Sequence, residues 1–195
     1  MAIEDIPVWY FEPNWTNALT ESFEWLTSIL ASPTGAEQRR ALRIFPRKEL
    51  EFSVTAGGSD AAALDRALTV YGATALYLPL WHEAFWLETS AANDATTIRC
   101  QDADSFGTGT ILFIGSTERS SHYELVEVAS VTGDVITLTA PLENAWPAFS
   151  KVHPVRKARL ADQPSVTRIT DSALTLTVNF KIIERNDDAD SITLE

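Results

Sequence analysis

The chain has 195 residues, of which 45% are hydrophobic and 22% charged, and its formal net charge is -12. This composition is typical of a globular protein, and the length suffices for one sizeable domain or two small ones. The chain contains 27 Asp and Glu but 15 Lys and Arg. This acidic balance argues against nucleic acid as a partner, because binding phosphates requires a basic surface.

The sequence predicts neither export nor insertion into a membrane. The first 38 residues contain no Lys or Arg, so the basic start of a secretory signal is missing. No run approaches the roughly 20 apolar residues of a membrane span. Cys100 is the single cysteine and cannot form an internal disulfide. We therefore expect synthesis in a cytoplasm and stability from packing and association.

The N-terminal segment from Pro7 to Trp15 is rich in aromatic residues, including Trp9 and Tyr10. Such a segment needs to be covered, because exposed aromatic area that is not buried internally usually marks an interface. Two interpretations follow. Either the segment lies over the core of its own chain, or it is an arm that contacts a neighbouring subunit through Trp9 and Tyr10.

The stretch from Ser22 to Val54 is central to the prediction. The side chains from Phe23 to Leu30 alternate in a way that is typical of a strand with one covered face and one partly covered face. The segment from Leu50 to Val54 predicts another strand. Five basic residues lie close together between them: Arg39, Arg40, Arg43, Arg47 and Lys48. Residues 36 to 43 form either a hairpin strand or an amphipathic helix, since Ala, Glu, Gln, Arg and Leu all favour helices.

A helix is predicted from Ser59 to Tyr71. The Gly57-Gly58 pair ends the preceding strand, Ser59 can cap the helix, and Asp60 favours the positive end of its dipole. Gly72 supplies the stop. One apolar face, expected to pack on the sheet of residues 22 to 54, is formed by Leu64, Ala67, Leu68 and Tyr71.

Short strands and turns follow. The predicted strands are Ala75 to Trp81, Thr110 to Ile114, Tyr123 to Val131 and Val135 to Thr139. They indicate a small β-barrel or sandwich. Pro141, Pro147 and Pro154 predict that residues 142 to 159 form a surface loop with an edge strand.

The alternation from Leu174 to Ile183 predicts a strand that returns to the first sheet. The expected fold is therefore mainly β: a β-sandwich-like domain with one flanking α-helix and an inserted small β-barrel. Residues 1-73 plus 161-195 form the sandwich, with the helix at 59-71, and residues 74-160 form the insertion.

No recognised catalytic motif, metal site or cofactor loop is present. The start of a calcium loop at Asp102 fails at Phe106 and Phe113, where oxygen ligands are needed. The candidate carboxylates for a glycosidase are Glu83 and Glu88, which lie near Trp81, Phe85 and Trp86. We expect no enzymatic activity, no metal and no cofactor.

Several motifs resemble those of tail and baseplate proteins of tailed bacteriophages. They are Glu24-Trp25-Leu26-Thr27, the run from Gly35 to Arg43, Pro46-Arg47, Leu78-Pro79-Leu80-Trp81, the run from Val131 to Leu138, and Val152-His153-Pro154. Together they span most of the chain. The family they resemble is the distal tail protein, a β-rich ring subunit that joins the tail tube to the host-facing hub.

The resemblance implies a structural virion protein at the tail tip, which forms a ring, by analogy a homohexamer, and contacts the tail tube and hub proteins. The hairpin and its basic residues would then meet an acidic surface of an adjacent copy. The candidate subunit contacts are Trp9, Tyr10, Arg39, Arg40, Arg43 and Arg47. Internal pairing with Glu37, Glu49 and Glu51 is the alternative.

A second hypothesis assigns host-surface saccharide binding to the inserted domain. Trp81 and Trp86 would supply the stacking faces. The alternative is that both rings pack inside the protein, as large aromatic side chains in small barrels usually do.

Overall fold

The computed structural model describes residues 3, 5-31, 37-42, 46-72, 74-116 and 121-183. Among them, α1 is the only α-helix, and β-strands dominate, so the predicted mainly β fold with one flanking helix is confirmed. The elements are β1 Thr20–Glu24, β2 Thr27–Ala31, β3 Glu37–Ala41, β4 Arg47–Gly57, α1 Ser59–Tyr71, β5 Leu76–Pro79, β6 Phe85–Trp86, β7 Thr97–Arg99, β8 Ile111–Gly115, β9 Tyr123–Thr132, β10 Val135–Leu138, β11 Lys151–Leu160, β12 Val166–Arg168 and β13 Ala173–Ile182.

One large antiparallel sheet runs through the molecule in the order β1-β4-β13-β11-β8-β9-β10-β7, and β5, β6 and β12 pair onto its sides. The longest pairing joins β4 to β13, from Lys181 opposite Glu49 to Ala173 opposite Gly57. The predicted C-terminal strand therefore exists and returns to the strand built from Leu50 to Val54.

The predicted hairpin does not belong to that sheet. β2 and β3 pair with each other and form a separate two-stranded sheet. The expected single strand from Phe23 to Leu30 is also wrong, because β1 ends at Glu24 and β2 starts at Thr27. β1 pairs with β4, whereas β2 turns away to meet β3.

The first hydrophobic core lies around β4 and β13. Their alternating residues, such as Phe52 and Phe180, are buried and stack at 5.7 Å between ring centroids. Helix α1 covers this core with Ala61, Leu64 and Ala67. The helix has the predicted bounds, but its N-cap is Gly58, with φ 59°, and Ser59 is already helical.

A second core contains buried residues from Leu87 to Val152 only. All of them lie within residues 74-160. The same stretch also contributes to the first core, through Leu76 to Trp81 and through Val155 and Ala158. β11 connects the two regions, since it pairs with β8, β5, β6 and β13. The division at residues 74 and 160 stays a prediction.

β11 corrects the prediction of a surface loop at residues 142 to 159. It is a ten-residue strand inside the sheet, and it contains Pro154. The carbonyl oxygen of Pro154 accepts a hydrogen bond from Leu80 N (2.8 Å). Because the N and O atoms of a strand residue point to the same side, the missing N–H faces Leu80 and costs no hydrogen bond to β8.

No helix in the described part of the chain is both long and apolar enough to cross a membrane.

Candidate functional site

The β2-β3 hairpin, with the residues that flank it, exposes a group of large apolar side chains. Trp25 is 63% exposed and Ile29 is 54% exposed. Phe23, Leu26 and Leu42 are exposed as well. The alternation from Phe23 to Leu30 predicts a strand with one covered face, whereas these large apolar side chains are exposed in the structure.

The two strands of the hairpin pair with each other through their backbones. Ile29 lies opposite Arg39 and Thr27 opposite Ala41, and Leu42 N donates to Leu26 O at 2.9 Å. An isolated two-stranded hairpin is at best marginally stable in water. This hairpin therefore needs further packing to be a stable element.

The structure separates the predicted basic cluster into two parts. Arg39 and Arg40 lie on β3, where the Arg40 side chain is exposed, whereas Arg47 begins β4 and is half-buried. Arg43 lies outside the described residues. Lys48 is paired internally: its Nζ is 3.2 Å from a Glu21 carboxylate oxygen and 5.1 Å from the centroid of the Phe23 ring.

The N-terminal segment covers the core of its own chain. Trp9 is completely buried, its Nε1 donates to Phe11 O at 3.1 Å, and its ring meets Phe180 edge-on at 5.0 Å. Trp9 as a subunit contact is therefore wrong. Tyr10 is half-buried and stacks on Tyr123 at 5.5 Å, and burial raises the pKa of its hydroxyl.

A pocket of about 470 Å³ with aromatic walls lies in the region of the second core. Trp86 and Phe149 both line it and are 40% and 71% exposed, and His122 stacks on the buried Trp146 at 4.8 Å. Phe149 has φ 65°. A bulky residue with positive φ is strained, and such strain often occurs at functional sites.

Trp81 does not take part in this pocket, which corrects its assignment as a saccharide contact. It is buried in the first core, where its ring meets Phe113 at 5.5 Å and His153 at 5.0 Å. His122, Trp146 and Phe149 were not predicted as site residues from the sequence. The available signal was the run of aromatic residues around Pro147, which was interpreted as a loop.

The two carboxylates considered for a glycosidase do not face this pocket. A Glu83 oxygen lies 3.6 Å from His82 Nε2, and a Glu88 oxygen lies 3.7 Å from Arg99 Nε. Neither residue lines the aromatic pocket. In the part of the chain that the structure describes, no three His, Cys, Asp or Glu side chains are grouped to hold a metal ion.

A larger groove of about 700 Å³, named the β9 groove here, runs beside the first half of β9. It is lined by Ile3, residues 123 to 127, Thr139, Ala140, Pro141, Glu143 and Asn144. Its wall is organised by the buried Glu124 carboxylate. This group accepts hydrogen bonds from Glu143 N (2.6 Å), from Asn144 N (3.1 Å) and Nδ2 (3.2 Å), and from Trp146 Nε1 (2.9 Å).

Comparison with known proteins gives no assignment, since no protein-family model and no curated protein matches the sequence.

Proposed function

We propose that this chain is a structural subunit of a bacteriophage tail tip or baseplate, where it forms an oligomeric ring between the tail tube and the host-facing hub or fibres. The observation that carries the proposal is the β2-β3 hairpin, a separate sheet with exposed Trp25 and Ile29. The resemblance of the sequence motifs to tail and baseplate proteins supplies the biological setting.

The physical argument starts from the cost of exposing this hairpin. Contiguous apolar surface on a soluble protein usually marks a site of protein contact. Two strands alone are marginal in water, and further strands or a covering surface stabilise them. A neighbouring subunit supplies that cover, and the ring uses the hairpin as its connecting element.

Charge supports contact with another copy of the same chain. The protein carries a net charge of -12, yet Arg39 and Arg40 lie together on β3. A basic strand on an acidic protein is complementary to most of the surface of an identical copy, and such complementarity gives register and specificity. Head-to-tail contacts between identical copies close into a ring when the rotation divides a full turn.

Electron images of the purified full-length protein test the proposal directly. We expect closed rings, sixfold if the analogy with distal tail proteins holds. The charge reversals Arg39→Glu and Arg43→Glu, made together, should leave a folded monomer. Images that show only monomers of the unmodified protein, or a threefold hub, contradict the ring.

A matched pair of substitutions isolates the contribution of the apolar hairpin surface. Ile29 is 54% exposed on β2, and Ile169 is 59% exposed directly after β12, a strand that pairs with β13 and belongs to the large sheet. Ile29→Ser should weaken assembly, whereas Ile169→Ser should leave it unchanged. Equal effects of the two substitutions would remove the hairpin from the interface.

The aromatic pocket supports a second candidate function, in which the protein binds a host-surface saccharide. Trp86 and Phe149 are exposed aromatic residues in the lining of a pocket large enough for a sugar unit. Glycan-array binding by the full chain should be lost in Trp86→Ala. It should persist in Trp15→Ala, which removes a ring that is 56% exposed elsewhere. A folded protein that binds no glycan on the array contradicts this function.

A further inference from the structure

We propose that the β9 groove receives strand β3 of a second copy of this chain, so that the hairpin extends the large sheet of its neighbour. This inference rests on the proposed assembly function and names the surface that the hairpin would bind. It follows from the unpaired edge in the groove, from the matching edge of β3, and from the charges on both.

The first half of β9 has a neighbouring strand on one side only. β8 pairs with Tyr123 to Glu127, whereas β10 pairs from Val128 onward. Ser116 N donates to His122 O and Val128 N donates to Thr110 O, which places the even-numbered residues of this stretch in hydrogen bonds to β8.

By the alternation of an antiparallel ladder, the backbone groups of Tyr123 and Leu125 then point away from β8 and into the groove. Within the described ranges, no backbone hydrogen bond engages these two residues on that side. An edge with unpaired N–H and C=O groups is a template for a further strand. Peptide recognition by strand addition uses such an edge.

β3 has a complementary edge. Because Leu42 N donates to Leu26 O, the backbone of Arg40 faces β2 and the backbone groups of Arg39 and Ala41 face outward. β3 has five residues, and residues 123 to 127 of β9 line the groove. The Glu127 end of this stretch is already paired, because Glu127 O accepts a hydrogen bond from Thr139 N (2.9 Å), so an incoming β3 would pair with Tyr123 and Leu125.

The side chains beside these edges are complementary as well. Arg40 is exposed on β3, and Glu143 is exposed on the rim of the groove. Three glutamates line the groove: Glu124 is buried and accepts hydrogen bonds from its own chain, Glu127 is half-buried, and Glu143 is exposed. We therefore assign Glu143 as the acidic group for an incoming arginine. Leu125 and Pro141 give the groove apolar surface, as Leu42 and Ile29 do for the hairpin.

The hairpin and the groove are different surfaces, so the contact is heterologous and a second copy presents both again. The same contact repeated from copy to copy adds one subunit at a time. In this arrangement each subunit would provide the strand that completes the sheet of the next.

Charge exchange between the two surfaces tests the inference by sedimentation velocity on the full chain. Arg40→Glu and Glu143→Arg should each raise the concentration needed for assembly at least about tenfold. The double variant should restore assembly. Asp162→Arg changes the net charge of the protein as Glu143→Arg does, at an exposed site outside the groove, and should have no effect.

Cysteine cross-linking tests the same contact without altering charge. Leu42→Cys and Thr139→Cys, each in a separate copy, should form a disulfide on mixing, because Thr139 lines the groove. The control mixes Leu42→Cys with Thr97→Cys, which lies on the exposed edge strand β7. This pair should not cross-link. The native Cys100 is buried and does not interfere.

The outcomes separate this inference from the proposed function. Suppose that Arg40→Glu weakens the rings, Glu143→Arg does not, and no cross-link forms at Thr139. This result would reject the β9 groove as the binding surface and would keep the proposed ring. A cross-linked closed dimer would support the groove and contradict the ring. A chain that stays monomeric at every concentration, with no cross-link, would overturn both.

Discussion

The protein should lose stability in mild acid, and the substitution His153→Phe should make this fall in unfolding free energy much smaller. His153 lies on β11 and is buried, with Nδ1 3.1 Å from the carbonyl oxygen of Glu83. Its ring packs edge-on against Trp81 at 5.0 Å, and Nε2 has no partner among the described residues. A proton added to Nε2 would therefore be an unpaired buried donor with a positive charge.

Burial lowers the pKa of His153 from 6.5 to about 4, although the hydrogen bond to Glu83 and the charge of Glu12 act in the opposite direction. The unfolded chain binds a proton near pH 6.5, and the folded protein binds it only near pH 4. Stability from this group is fully present above pH 6.5 and is lost as the pH falls toward 4. Between pH 7 and pH 5 the loss amounts to about 2 kcal/mol.

Urea denaturation of the wild type and of His153→Phe at pH 7 and pH 5 measures this term. The difference in unfolding free energy between the two proteins should change by about 2 kcal/mol between these pH values, because contributions of other groups cancel. Phe retains the aromatic packing against Trp81. Unfolding free energies that fall in parallel for the two proteins would refute the assignment of the acid sensitivity to His153.

Three further predictions concern single residues. Burial raises the pKa of Cys100 to about 12, so a thiol reagent should label the native protein very slowly and the urea-unfolded protein fully. Glu124→Gln places an amide group against N–H donors and should lower the unfolding free energy by about 1–3 kcal/mol in urea titration, whereas exposed Glu51→Gln should change it by less than about 0.5 kcal/mol. Gly133 has φ 56° in the turn between β9 and β10, so Gly133→Ala should cost about 1 kcal/mol, and a variant as stable as the wild type in thermal unfolding would contradict that strain.

Local sequence signals were sufficient to predict α1 and the strands β4, β5, β8, β9, β10 and β13. The apolar face that includes Leu64 and Ala67 defined the helix, and the alternation from Leu174 to Ile182 defined β13. These signals work because each depends on a single element packed on one face. The return of β13 to the first sheet was also predicted, and the structure identifies β4 as its partner there.

β11 was missed because its signal conflicts with the usual rule for proline in strands. Pro154 suggested a break in the strand. Its missing N–H, however, faces Leu80, and the one bond on that side is donated by Leu80 N to the carbonyl oxygen of Pro154. This compatibility depends on which side of the strand the residue faces. The sequence carries no local sign of that register.

The two tryptophans show a similar limit. Trp81 and Trp86 stand five positions apart between similar neighbours, yet Trp81 is buried and Trp86 lies at the rim of a pocket. Trp81 follows β5 into the first core, whereas Trp86 pairs with Lys151 at the start of β11. Pairing partners distant in the sequence decide the burial of each ring.

The hairpin differs from both cases. Its alternating apolar residues predicted burial, and the structure leaves Trp25 and Ile29 exposed. A hydrophobic pattern reports that a surface needs cover, but it does not say whether the cover belongs to the same chain. Glu124 gives the opposite example, since an acidic residue in a strand suggests exposure and its carboxylate is instead held by four hydrogen bonds.

Hydrogen–deuterium exchange of the β2 and β3 amides, followed as a function of protein concentration, tests most directly whether another copy covers the hairpin. An uncovered two-stranded hairpin opens easily, so its amides should exchange rapidly in dilute protein. We expect strong protection of β2 and β3 to appear at the concentration where assembly occurs, while β4 and β13 stay protected throughout. Rapid exchange of the hairpin amides at every concentration, or full protection in the monomer, would contradict the account.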